Sequence, residues 1–150
     1  MEKKVKEDIP LRMIIAKRMN HEVFRVLRKR IEQQADVKLT IEEFVLIQVL
    51  SNKEEKAIQK NMAETMGKDK SMIMRLVNSL EGKELIKRVE CPEDKRKNYL
   101  VITEKGEKVL EQYREIEIEL IEELQKGLTE SDTAILHRVI NQIKTNAERL

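Results

Sequence analysis

The sequence predicts a mainly α-helical fold with one small β-hairpin, and three observations predict it. Only 4 Gly and 2 Pro interrupt 150 residues rich in Glu, Lys, Leu, Ile and Met, a composition that favours long helices. Residues 85–103, LIKRVECPEDKRKNYLVIT, hold two short apolar-basic runs, Leu85 to Val89 and Tyr99 to Ile102, around a charged knot opened by Pro92. Strand-like runs on either side of a polar, Pro-started connection suggest a hairpin. Residues 58–82, just before it, read as two short helices joined at Gly67. Helix, turn, helix and basic hairpin form the layout of a winged helix-turn-helix, here flanked by N- and C-terminal helices.

The elements follow in order. Across residues 9–34, Leu11, Ile15, Met19, Val23, Val26, Leu27 and Ile31 recur at three- and four-residue steps, as one helix face demands. Pro10 suits a first-turn position. Thr40 and Glu43 have capping-box spacing and open a second helix, with Phe44, Ile47 and Leu50 on one face. Residues 51–55 read as a polar loop. A third helix is expected over 56–66, with Ile58, Met62 and Met66 four apart and Gly67 as its left-handed cap. Asp69 or Ser71 can cap the fourth, which turns Ile73, Leu76, Val77 and Leu80 inward and ends at Gly82. After the hairpin, Thr103 starts a long helix with Val109, Tyr113, Ile116, Leu120 and Leu124 along one stripe. Gly127 breaks it. Thr129 and Asp132 restart a last helix that carries Leu136, Val139, Ile140, Ile143 and Ala147.

The organisation expected is a single protomer over 1–150, with a winged lobe at 38–103 and assembly helices at 9–34 and 104–150. The terminal helices keep continuous apolar stripes that the central lobe does not need. Packing them against the same helices of a second chain across a twofold is the economical solution, so a homodimer is expected.

Net charge is only +2, but its distribution is uneven. Residues 56–97 carry 11 Lys/Arg against 7 Asp/Glu, whereas residues 98–150 carry 7 against 11. A basic lobe beside an acidic assembly region points to double-stranded DNA as the partner of the lobe. On the fourth helix the outward side chains are Lys70, Ser71, Met74, Arg75 and Asn78. Ser71 can donate to a phosphate near the helix N-terminus, Arg75 can grip a guanine edge, and Asn78 can pair with an adenine or a phosphate. Met72 and Met74 offer apolar contact, for example to a thymine methyl. Lys95, Arg96 and Lys97 tip the hairpin, where cations reach the backbone or the minor groove. Asp94, two residues before Arg96, can hold that arginine in one rotamer or pair with Arg75.

Other function classes find little support. His21 and His137 are isolated, and no phosphate-binding Gly loop or nucleophile motif occurs. No catalytic residue, metal or cofactor is expected. No apolar run approaches the roughly 20 residues that span a bilayer, and the first eight residues lack the apolar core of a secretory signal. With one cysteine, Cys91, no intrachain disulfide can form, which suits a reducing, cytoplasmic setting. Glu90 and Glu93 beside Cys91 are expected to raise its thiol pKa and blunt its reactivity.

The run from Leu39 to Gly106 resembles the MarR family of bacterial winged-helix regulators. Four stretches carry the resemblance: LTIEEFVLIQVL, MAETMGKDKSMIMRLVNSLE, LIKRVECPEDKRK and LVITEKG. The most specific part is Asp94-x-Arg96 with Pro92 before it, closed by Thr103-Glu104-Lys105-Gly106. The resemblance implies a homodimeric repressor on a pseudo-palindromic operator near its own gene. It implies release by a small, often anionic or phenolic, molecule bound where the dimer helices meet the DNA lobe. It puts Ser71, Met74 and Arg75 on the recognition helix, Arg96 at the wing tip, and Asp94 as the residue that orients arginine.

This sequence departs from the family pattern in five places. Glu84 stands where members usually have Gly. A left-handed turn there would cost Glu about 1 kcal/mol, so the turn is expected to move to Gly82. Ile58, Met72 and Met74 replace frequent threonines, which alters phosphate contacts and base preference. The first helix lacks the reactive cysteine of thiol-sensing relatives. The competing reading is a winged-helix protein-interaction module without sequence-specific DNA binding. Such a module has no use for Arg75 and Arg96 where they stand.

Overall fold

The computed structural model describes residues 2–52 and 57–150, with side chains described for 14–52, 59 and 61–150. The chain divides into two units, Met1–Glu117 and Ile118–Leu150. The first holds α1 (Glu2–Gln34), α2 (Ile41–Ser51), β1 (Ala57–Ile58), α3 (Gln59–Met66), α4 (Lys70–Gly82), β2 (Ile86–Glu90), β3 (Asn98–Ile102) and the start of α5 (Glu104–Leu124). The second holds the end of α5 and α6 (Glu130–Glu148). The predicted class, mainly helical with a β-hairpin wing, is the class observed.

The core of the first unit is aliphatic, as the composition requires. Phe44, Leu46, Ile47 and Leu50 of α2, Met62 of α3, Ile73, Val77 and Leu80 of α4, and Leu85, Ile86 and Leu100 of the wing are all buried. Burial of an aliphatic side chain stabilises by about 1.5–3 kcal/mol. Tyr113 is the largest fully buried side chain. Its ring lies 5.2 Å from that of Phe44, and its hydroxyl donates to Val37 O and accepts from Leu39 N, both at 2.7 Å. Tyr113 thus ties the α1–α2 connection to α5. Burial pushes its phenol pKa up.

Helix starts follow the sequence signals. Thr40 and Glu43 form the capping box of α2, and Thr129 and Asp132 that of α6. Two expectations fail. The first helix begins at Glu2, so Pro10 lies inside it, where it forgoes one hydrogen bond, and not in its first turn. The third helix begins at Gln59, because Ala57 and Ile58 pair as a short strand with Leu100 and Tyr99. The hairpin therefore becomes a three-stranded antiparallel sheet of order β1-β3-β2. Residues 53–55 of the expected loop, and the side chains of Leu11 and Ile58, lie outside the described residues.

The expected apolar stripes divide into buried and exposed parts. On α1, Leu27 and Ile31 are buried while Ile15 and Met19 are exposed. On α5, Val109, Tyr113, Ile116 and Leu120 are buried while Leu124 is exposed. On α6, Leu136, Val139, Ile140 and Ile143 are exposed, and no residue of that helix is buried.

Candidate nucleic-acid interface

The turn between α3 and α4 is built from backbone rules. Gly67 adopts φ 63°, its N–H donates to Glu64 O, and the Lys68 N–H donates to Ala63 O. This is a Schellman stop that glycine takes without strain. Asp69 then caps α4, accepting from Met72 N at 2.7 Å. That N–H bond, followed by one from the Ser71 hydroxyl, holds the Asp69 carboxyl below its ordinary range.

The cap fixes the face that α4 presents. Ile73, Val77 and Leu80 are buried and Leu76 is half-buried, while Lys70, Ser71, Met74, Arg75 and Asn78 are exposed. Met74 is 53% exposed, a large apolar side chain held in water. Met72 is half-buried and less available than its neighbour. The Ser71 hydroxyl, expected to reach a phosphate, donates instead to Asp69 Oδ1 at 3.1 Å. The carbonyl oxygen of Asn78 is also engaged, by Arg88 at 2.6 Å.

The wing is antiparallel, with Arg88 opposite Leu100 and Val89 opposite Tyr99. Its tip is closed by Lys97 N to Asp94 O and Cys91 N to Lys97 O, each 3.0 Å. Lys95 and Arg96 are exposed and Lys97 is half-buried. Asp94 acts on the backbone: its carboxylate accepts from Arg96 N at 3.0 Å. Neither of the guanidinium pairings expected of Asp94, with Arg96 or with Arg75, is formed among the described residues. What Asp94 shapes is thus the backbone of the turn that carries Arg96. A groove of about 300 Å³ separates α4 from the wing, lined in part by Lys70, Met74, Arg96 and Lys97. Four of the expected contact residues thus share one concavity.

Three features behind the α4 surface hold this face together. Glu84 keeps the left-handed conformation, φ 62°, and the turn has not moved to Gly82. Glu84 N donates to Glu81 O and Leu85 N to Leu80 O, a second Schellman stop with Leu80 and Leu85 fully buried. Those two bonds and that burial outweigh the strain on Glu84. Gly106 lies against this turn: a Cβ there would stand 2.1 Å from Leu85 O. Glu43, the one buried charged residue among those described, accepts from Lys83 Nζ at 2.8 Å and Ser79 Oγ at 3.2 Å, which pins α4 to α2.

Sequence reasoning missed Arg88. From β2 its guanidinium reaches Gln59 Oε1 at 2.9 Å, Glu81 Oε1 at 2.8 Å and Asn78 Oδ1 at 2.6 Å. A single basic residue in a strand gives no motif, and its acceptors lie 29, 7 and 10 residues away in sequence.

The expectation for Cys91 is reversed. It is 4% exposed, and its sulfur lies 3.2 Å from the Tyr99 hydroxyl. That hydrogen bond holds the thiol below its ordinary pKa, against burial and the Glu93 charge, which act the other way. The acidic flanks are therefore outweighed by a cross-strand partner that sequence proximity does not reveal. His21 and His137 are exposed, and no cluster able to hold a metal occurs among the described residues. No helix among those residues is long and apolar enough to cross a membrane.

Comparison with known proteins agrees with this geometry. Residues 39–97 match the model of the MarR family. The uncharacterised HTH-type transcriptional regulator YpoP of Bacillus subtilis (strain 168) is 29% identical over 121 residues, 81% of this chain and 85% of YpoP. MepR of S. aureus, solved as a DNA complex, superposes with a TM-score of 0.77 at 20% identity, covering 89% of this chain and 96% of MepR. The organohalide-sensing regulator RdhR-CbdbA1625, in its 2,4-dichlorophenol-bound form, gives 0.78 at 15% identity over 91% of this chain and 79% of its own. At these identities the two structures speak for the fold.

Proposed function

We propose, from the match of residues 39–97 to the MarR family model and the likeness to an HTH-type transcriptional regulator, that this chain is a MarR-type DNA-binding regulator, a homodimeric repressor of a pseudo-palindromic operator. The observation that carries the reading is the exposed face of α4 beside the wing. Lys70, Met74 and Arg75 stand out from a buried core, and Arg96 and Lys97 face Lys70 and Met74 across the groove. A recognition helix in the major groove with a basic wing on the adjoining backbone or minor groove uses all five.

Dimerisation is the second part of the proposal. Exposed Ile14, Ile15 and Met19 on α1 and Leu136, Val139, Ile140 and Ile143 on α6 are apolar surface that a second copy would cover. Two lobes on one duplex then read two half-sites. Release by a small anionic or phenolic molecule, in the cytoplasm, completes the reading. Its support is the phenol-bound form of a regulator that shares this fold.

Operator and random-duplex affinities measured over a salt series test the proposal. Arg75→Ala should cost roughly 1–3 kcal/mol on the selected operator and less on random DNA. Arg96→Ala should weaken binding to both and lower the salt slope by about one unit. If Arg96→Ala changes neither affinity nor slope, the wing does not touch DNA, and the protein-interaction reading takes its place.

A further inference from the structure

Asn78 lies one turn along α4 from Met74 and Arg75, so the three share a face. An asparagine on a recognition helix commonly reads adenine with both ends of its amide: the oxygen accepts from N6 and the nitrogen donates to N7. In this protein one end is already taken. The Arg88 guanidinium lies 2.6 Å from Asn78 Oδ1. A guanidinium has donors only, so the amide atom facing it must be the oxygen. The orientation of this amide is therefore fixed by chemistry, where asparagine orientation is otherwise ambiguous. Arg88 is itself held at two other points, by Glu81 at 2.8 Å and Gln59 at 2.9 Å, and its own backbone N–H donates to Glu81 Oε2 at 3.1 Å. It cannot follow Asn78 toward a base without giving up those bonds.

We infer that Arg88 is a specificity-determining positioning residue, which presents Asn78 to the operator as a hydrogen-bond donor alone. A two-point grip on adenine needs Oδ1 and Nδ2 level with one base edge. With Oδ1 drawn toward the wing strand, Nδ2 is the end left to face the groove. Among the described residues it donates to no protein acceptor, and Asn78 is exposed. A lone donor favours guanine, whose O6 and N7 both accept, over adenine, whose N7 accepts but stands beside the N6 amino group, itself a donor. Asn78 therefore selects for guanine over adenine at one base position of each half-site. Arg88 makes this selection without contact with DNA. The inference rests on the DNA-binding reading above.

Selection of bound sites from a random duplex library tests it, with the native chain, Arg88→Lys, Asn78→Ala, Asn78→Asp and Arg75→Ala compared side by side. The native chain should show one position per half-site at which guanine is preferred over adenine. Arg88→Lys keeps the charge near Glu81 but cannot span three acceptors. It should raise adenine at that position about tenfold relative to the native chain. Asn78→Ala should flatten the same position, and Asn78→Asp, which has no donor, should disfavour guanine there. Neither exposed change at Asn78 threatens the core, so the test survives if Arg88→Lys folds poorly. If Arg75→Ala alters the selected site while the Asn78 variants leave it unchanged, the DNA reading stands and this inference falls. Unchanged base preference in a folded Arg88→Lys also overturns it. If the native chain selects no site, both fall together.

Discussion

Helices α4 and α6 carry the same kind of apolar stripe and open on the same kind of cap, yet only α4 buries its stripe. Asp69 caps α4 and Thr129 caps α6. On α4, Ile73, Val77 and Leu80 are buried against their own chain. On α6, Leu136, Val139, Ile140 and Ile143 remain exposed. Periodicity in a sequence says that a face wants cover, but it does not say whose atoms supply it. Most helical stability comes from tertiary packing of such a face. The winged lobe is thus satisfied within one chain, whereas α6 leaves its stripe uncovered by its own chain.

The comparison breaks most sharply on the lobe side. Gly106→Ala places a methyl 2.1 Å from Leu85 O and 2.8 Å from Ile102 Cγ2, so the wing and α5 must separate. A loss of about 3 kcal/mol is expected in urea unfolding, with DNA binding weakened as the wing shifts. Gly82→Ala, where nothing lies within 4 Å, is the matched control and should be near neutral. Equal stability of the two variants would remove the close approach.

The next effect belongs to α6. Ile140 is 51% exposed in one chain, so Ile140→Glu costs the isolated chain little. In the proposed dimer it puts a charge into an apolar interface and should weaken association by about 2 kcal/mol or more. Sedimentation over a dilution series should show the variant falling to the 17.7 kDa protomer at concentrations where the native chain stays paired. Identical profiles would mean that α6 is not part of the interface.

A smaller effect, of opposite sign, concerns the turn after α4. Glu84→Gly removes the left-handed strain and should stabilise the lobe by about 1 kcal/mol. The gain should appear in thermal unfolding of the lobe and leave the dimer constant unchanged. A loss of stability would show that the Glu84 side chain contributes more than its backbone costs.

The smallest effect sharpens the parallel between the caps. The Asp69 carboxyl lies below its ordinary 3.8 because Met72 N–H and then Ser71 Oγ bond it. Asp132 is lowered by the backbone and then the side chain of Thr129. Each depressed carboxylate stabilises the fold fully above its unfolded pKa. That contribution is lost as pH falls through the lower, folded value. Carboxyl titrations followed by NMR should give midpoints below 3.8 for both. A midpoint at or above that value for either would remove its cap.

Much of this architecture was legible because its signals are local. Capping boxes at Thr40 and Thr129, the stop at Gly67 and the hairpin around Pro92 need only neighbours within a few residues. What escaped was non-local. Ala57 and Ile58 are too short a run to show alternation, and they become a strand only because β3 offers them an edge. Arg88 carries no local signal, because its partners Gln59, Asn78 and Glu81 are brought around it only by the fold. Cys91 was judged by Glu90 and Glu93, but Tyr99 across the ladder decides its thiol. The candidate contact residues were legible as an outward helix face. Which of their polar atoms were already engaged was not.

The buried carboxylate of Glu43 has a mechanical consequence. One oxygen accepts from Thr40 N and the other from Ser79 and Lys83, so one side chain grips the start of α2 and the last turn of α4 at once. Rolling α4 about its own axis would unseat that carboxylate in a core with no other buried charge among the described residues. Sliding α4 along its axis would do the same. Helix α4 is therefore geared to its lobe like a toothed wheel locked by a key. In the proposed dimer on DNA, the spacing of the two α4 helices, rather than the setting of either one within its lobe, is then the natural variable for a switch.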